Sequence, residues 1–215
     1  VAMFRKPNRT NPYRFGENDW SDENWIEGVS DYFLSKTKAE KAAWRLMESK
    51  GLKNKLTTIN PGGVFGDALD KKGGTSIEYI RQFMKGKFPG APKFAVLISD
   101  VKDIAKAHVA CIGNNKVGGR RLIVGKEVKR LVELSQIIAE AMPEYKKKLP
   151  KKELPNLMVK LISYIDSSAK TMIPDLGIMM QTDTSYAEEI LGFKFKPAKG
   201  CISENAKSVV RLGLV

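Results

Sequence analysis

The hydrophobic positions of this 215-residue chain change period several times along its length. Residues 1–24 carry no period: they are polar, broken by Pro7, Pro12 and Gly16, and read as a long loop. From 27 to 50 a stretch without proline, rich in Ala, Lys and Glu, predicts a helix, with Gly51 as its stop. Residues 55–60 predict a short strand, closed by Pro61-Gly62-Gly63. Helix, glycine, strand and Pro-Gly turn make half of a βαβ unit. A second helix is expected over 76–84, an extended stretch over 94–99, and a helix over 101–113 with Asp100 placed to cap it. Residues 120–124 read as a strand after the turn Val117-Gly118-Gly119. Beyond Gly125 the pattern is helical, over 131–142, 154–164, 185–191 and 204–212, punctuated by Pro150, Pro155 and Pro174. The chain therefore reads as α/β in its first half and mostly α in its second, without internal repeats.

Composition adds exclusions. With 42% hydrophobic and 28% charged residues, the chain is ordinary for a soluble globular protein of one sizeable domain or two small ones. Its longest apolar runs, such as 94–98, are far shorter than the roughly 20 residues of a membrane span. No secretory signal opens it. A cytoplasmic protein with no membrane partner is the expectation. Cys111 and Cys201 make a poor disulfide scaffold and read as reduced thiols. One histidine, His108, and no cysteines at ligand spacing leave no metal signature.

The formal charge of +13 raises nucleic-acid binding as a class. The lysines, however, are spread along the whole chain. The densest run, Lys146, Lys147, Lys148, Lys151 and Lys152, is flanked by prolines and reads as a solvated loop. No basic cluster with interleaved aromatics is present, so no nucleic-acid partner is expected. A non-catalytic basic binding protein stays as the reading from another class.

One pair of side chains carries possible chemistry. Tyr32 and Lys36, four apart on the first helix, lie on one face a turn from each other. A phenol has a pKa near 10, and a nearby ammonium lowers it toward the neutral range by favouring the phenolate. Such a tyrosine can give a proton to a carbonyl oxygen, or take one from an alcohol. With six tyrosines in a lysine-rich chain, about one such spacing arises by chance, and the pair alone is equally an exposed helix turn.

The surrounding residues supply the context. The helix reads Tyr32-Phe33-Leu34-Ser35-Lys36-Thr37-Lys38-Ala39-Glu40-Lys41-Ala42-Ala43-Trp44, and the next strand leads into Asn60-Pro61-Gly62-Gly63-Val64-Phe65-Gly66. Then come Val101-Lys102-Asp103-Ile104-Ala105-Lys106-Ala107-His108, Gly118-Gly119-Arg120-Arg121, Leu191-Gly192-Phe193 and a closing Arg211-Leu212-Gly213-Leu214-Val215. In order and spacing these segments resemble the extended short-chain dehydrogenases/reductases, in the branch of dihydroflavonol reductase, cinnamoyl-CoA reductase and yeast aldehyde reductases. Arg121 departs from the pattern, which has an aromatic residue there.

The resemblance implies a Rossmann-like doubly wound parallel sheet with a smaller, mostly helical substrate-binding part. Residues 1–125 would be the remainder of the dinucleotide-binding domain and 126–215 the substrate-binding region. It further implies a reductase that uses NADP(H) in preference to NAD(H), acting on a small-molecule ketone, aldehyde or alcohol. A nucleotide-sugar epimerase or dehydratase, or a hydroxysteroid dehydrogenase, is the alternative on the same scaffold; the Glu40-x-x-x-Trp44 context favours the reductase.

By the same resemblance Tyr32 is the proton donor and acceptor. Lys36 tunes it and bonds the nicotinamide ribose. Pro61, Gly62, Gly63 and Val64 run beside the nicotinamide, where glycine permits close approach, and Ser76 touches the cofactor. Phe65 and Ile178-Met179-Met180 are candidates for the substrate wall, although methionines there equally fill a helix core. His108 falls on a structural helix, paired near Asp103, and stays outside the catalytic set. The family's Gly-x-x-Gly-x-x-Gly phosphate turn has no counterpart in the 215 residues. The chain opens on Val1-Ala2-Met3, where the family continues from its catalytic serine. The chain is therefore expected to be the C-terminal part of such an enzyme, inactive by itself.

Overall fold

A computed structural model describes residues 3–72, 74–164 and 167–215; Val1 and Ala2 lie outside the described residues. In chain order the elements are β1 (Tyr13–Arg14), α1 (Asp31–Ser49), β2 (Thr57–Pro61), β3 (Gly63–Phe65), α2 (Thr75–Met84), β4 (Ala91–Pro92), β5 (Ala95–Asp100), α3 (Val101–Cys111), β6 (Arg120–Val124), β7 (Glu127–Arg130), α4 (Leu131–Ala141), β8 (Glu153–Leu154), α5 (Asn156–Ile162), α6 (Ser167–Lys170), β9 (Met180–Gln181), α7 (Ser185–Leu191) and α8 (Ala198–Arg211).

The α/β class is as expected, with parallel pairing dominant. β2 and β6 pair in parallel from Thr57 opposite Arg120 to Pro61 opposite Val124. A second sheet runs β3-β5-β7, with β3 parallel and β7 antiparallel to the central β5. Ser99 on β5 ties the two together: its hydroxyl donates to the Val124 carbonyl at 2.5 Å and accepts from the Gly62 amide at 2.9 Å. The main core packs α2, α4 and α8 onto β5 through Ile80, Phe83, Met84, Leu134, Ile138 and Ile202, all essentially buried. Apolar positions three and four apart on each helix produce that face. Residues on both sides of Gly125 contribute to it.

Several boundaries differ from the sequence reading. Helix α1 starts at Asp31, not at 27, because 25–29 form turns held from outside the helix. The Gly28 carbonyl accepts from Arg5 Nη1 at 3.0 Å, and the Trp25 ring covers Gly28 so closely that a Cβ there would sit 2.3 Å from it. The strand expected over 55–60 begins at Thr57, after a 3-10 turn over Lys53–Lys55. Helix α8 begins at Ala198 rather than 204, directly after Pro197, whose φ of −60° suits a helix entry. The loop read over 1–24 contains β1, which pairs in parallel with β9. Asp100 caps α3 as expected, its side chain accepting from the Lys102 amide. No helix among the described residues is long and apolar enough to cross a membrane.

Candidate active site

A cavity of about 970 Å³ is bordered by the N-terminal turn of α1, the turn that links β2 to β3, and α2. Tyr32 lines it from the first turn of α1 and is 59% exposed. Pro61, Gly62, Gly63 and Val64 line it from the strand turn, and Ser76 from the first turn of α2. Phe65 and Met180 belong to its wall; Ile178 and Met179 do not line it. Lys36 stands one helical turn from Tyr32, exposed, with its Nζ 5.6 Å from the phenol ring centroid. Among the described residues it enters no ion pair, which leaves the ammonium available to a ligand.

The strand turn is fixed from behind. A Cβ on Gly62 would lie 2.2 Å from the Leu97 carbonyl oxygen, and one on Gly63 would lie 2.8 Å from a Val96 methyl. Glycine is thus required at 62 by packing on β5, which the sequence reading, concerned with cofactor approach, did not foresee. The Gly62 amide is satisfied by Ser99, so it needs no ligand as a partner.

Helix α1 is fastened two turns beyond Tyr32, on the same face as Lys36. Glu40 Oε1 accepts from Thr58 Oγ1 at 2.6 Å, Asn60 Nδ2 at 3.2 Å and Arg121 Nε at 2.8 Å, while Oε2 accepts from Arg121 Nη2 at 3.0 Å. Both charged partners are 9% exposed. Arg121 Nη1 also donates to the Glu17 and Asp19 carbonyls, and its guanidinium lies 3.5 Å from the centroid of a Trp20 ring. Burial pushes the Glu40 carboxyl up, but hydrogen bonds from Arg121, Thr58 and Asn60 outweigh it and hold the group below the usual carboxylate range. The arginine that departs from the family pattern is therefore the hub joining α1, β2, β6 and the N-terminal loop. Glu40 was legible only as part of a motif; its position eight residues after Tyr32, on one stripe, was the available signal.

A second buried charge cluster joins the N-terminal loop to residues 171–175. Arg5, 1% exposed, donates to Asp175 Oδ2, and Arg9 Nη1 donates to Oδ1 of the same carboxylate at 2.6 Å. The Arg5 guanidinium stacks 3.6 Å over the Phe33 ring, beside Tyr32. Nothing in the local sequence marked Arg5, since the hydrogen-bond partners of its guanidinium lie 23 to 170 residues away.

His108 is corrected in one respect. It is exposed and its Nδ1 bonds the Ile104 carbonyl at 2.8 Å, whereas Asp103 accepts from the Lys196 amide at 2.6 Å. The two are not paired with each other. Among the described residues no cluster of three or more His, Cys, Asp or Glu side chains is arranged to hold a metal.

No family model matches the chain. It is 30% identical over 212 residues to the NADPH-dependent methylglyoxal reductase of Saccharomyces cerevisiae, covering 92% of this chain and 57% of that protein. It is 27% identical over 213 residues to cinnamoyl-CoA reductase 2 of Arabidopsis thaliana, covering 99% of this chain and 58% of that one. The crystal structure of yeast methylglyoxal/isovaleraldehyde reductase Gre2 with NADPH superposes with a TM-score of 0.74 at 27% identity, over all of this chain and 62% of the other. The chain thus spans somewhat over half the length of the curated relatives it matches. It is homologous to the Gre2-like and cinnamoyl-CoA reductases and has the Rossmann-like α/β fold of the extended short-chain dehydrogenases/reductases.

Proposed function

We propose that the protein carrying this chain is an NADP(H)-dependent reductase of ketones or aldehydes, with Tyr32 as its proton donor. The observation that carries the reading is that Tyr32, the Pro61–Val64 turn and Ser76 border one cavity, with Lys36 one helical turn away. One relative is named an NADPH-dependent methylglyoxal reductase. The residues fit the nicotinamide end of such a cofactor. Lys36, in no ion pair among the described residues, offers its ammonium to ribose hydroxyls, and the turn offers backbone anchored by Ser99. Bound there, NADPH would supply the hydride to the carbonyl carbon.

Tyr32 then gives its phenolic proton to the carbonyl oxygen, and the Lys36 ammonium stabilises the negative charge left on the phenolate. The Phe33 ring packs edge-on against the Tyr32 ring, centroids 5.9 Å apart. The phosphate end has no glycine-rich cradle within the 215 residues, so tight cofactor binding belongs to a larger protein. In that assignment residues 1–125 complete a dinucleotide-binding domain and 126–215 form the substrate side. The test is Tyr32→Phe in the whole protein. It keeps the ring and removes the proton, and kcat for NADPH-dependent carbonyl reduction should fall about 100-fold or more. Turnover close to wild type refutes the reading.

A further inference from the structure

Beside that cavity lies a second one of about 250 Å³. The two share Thr75, Tyr79, Phe83, Leu131 and Met172. The second is walled mainly by apolar groups, among them Phe88, Leu154, Val159, Ile162 and Ala169. Its polar neighbours Glu78 and Gln82 are already satisfied, since Gln82 Nε2 donates to Glu78 Oε1 at 2.7 Å and Arg81 donates to both carboxylate oxygens. Among the described residues no lysine or arginine lines it, so it offers no cation to a phosphate or a carboxylate.

The partition between the cavities is adaptable. Tyr79 Oη contacts Met172 Sδ at 4.0 Å, and a methionine side chain has three rotatable bonds with which to step aside. The volume equals about eight water-sized groups at ~30 Å³ each. Apolar space left open inside a domain costs stability in proportion to its volume. A larger residue at Ala169 or Val159 would close this one, and small residues stand at both positions.

We propose that the second cavity is a tail site. The substrate is a carbonyl compound with a flexible apolar chain, its carbonyl at Tyr32 and its chain passing Met172 into the space beneath α5. The proposal rests on the reading of Tyr32 as proton donor. A polar-bodied substrate such as a sugar nucleotide would find no partners there.

Chain-length dependence tests it. Each methylene moved from water into apolar surroundings favours binding by about fourfold. With NADPH and the whole protein, kcat/KM for n-alkanals from butanal to decanal should rise by about that factor per carbon. It should level off once the second cavity is full. Ala169→Phe, which fills the cavity, should bring the plateau several carbons earlier. The loss should be at least ~10-fold for decanal and under ~2-fold for butanal. If Ala169→Phe does not fold, Ile162→Trp at a half-buried wall position makes the same change.

A flat series, or one that neither variant alters, overturns the tail site while Tyr32→Phe sensitivity still upholds the reductase reading. If Tyr32→Phe reduces butanal normally, that reading fails instead. Calorimetry with octanol and butanol on the whole protein then decides the cavity alone. Preference for octanol that Ala169→Phe abolishes supports it, and equal affinities overturn it.

Discussion

Arg121→Met cuts the hub that holds the Tyr32 helix while leaving a side chain of similar length. Removing one partner of a buried ion pair strands the other, at about 3–5 kcal/mol. Glu40 would keep its hydrogen bonds from Thr58 and Asn60, which places the cost near the lower end, about 3 kcal/mol. For a domain of this size that corresponds to a fall in Tm of ~6–12 °C. The double variant Glu40→Gln/Arg121→Met should lose less than the two single losses added, because no unpaired charge remains buried. Urea unfolding followed by tryptophan fluorescence measures both, with Trp20 stacked on Arg121 and Trp44 Nε1 3.3 Å from Glu40 Oε1.

Because the folded carboxyl titrates below its ordinary value, the pair's contribution is complete above the ordinary carboxylate range. It is lost as pH falls through the depressed folded value. The gap between wild type and Arg121→Met should therefore narrow on acidification. A variant as stable as wild type at neutral pH, or a gap that widens in acid, would refute the reasoning.

Two further predictions concern the turn and the thiols. Gly62→Ala should destabilise by at least ~2 kcal/mol, because the new methyl meets the Leu97 carbonyl and Cβ at 2.2 and 2.7 Å, backbone that cannot yield cheaply. Gly16→Ala, with nothing within 4 Å, should stay within ~0.5 kcal/mol; equal unfolding midpoints for the two would contradict the packing argument. Cys201 is fully buried, and burial, reinforced by Asp100, pushes its thiol well up, so it should resist a thiol reagent until the chain unfolds. The half-buried Cys111, also raised by burial, should react first; simultaneous labelling of both in the native state would be the contrary result.

What the sequence displayed was local. Helices α2 and α4 and strand β6 carry their period and punctuation within a dozen residues, and their bounds fall within one residue of the reading. Strand β7 is Glu-Val-Lys-Arg, which no hydrophobic alternation marks; it forms because its backbone completes the ladder on β5. The start of α8 was obscured by Gly200 and Cys201, since a glycine near a helix entry looks like a stop. Here it has room, with only the Lys196 side chain 3.5 Å from a would-be Cβ. At the site, the motif residues Tyr32, Pro61–Val64 and Ser76 do reach one cavity. The supports around them, Ser99, Arg121, Arg5 and Asp175, join segments 23 to 170 residues apart through their side chains and could not be read from spacing.

Those supports explain how a turn rich in glycine can be a rigid wall. Gly62 and Gly63 would be permissive alone, but each is pressed against β5, and the amide of Gly62 is taken by Ser99. Ser99 in turn holds the Val124 carbonyl, one residue before Gly125, where a Cβ would lie 2.7 Å from a Leu97 carbon and 2.9 Å from Ser99 Oγ. Three glycines and one serine thus let β2, β5 and β6 approach more closely than side chains allow. On the other flank Glu40 grips Asn60, the residue that begins the turn, and carries Tyr32 two helical turns away on the same face. The distance between phenol and turn is therefore set by two short chains of contacts, through Ser99 and through Glu40. Neither chain contains a residue that touches the reacting atoms.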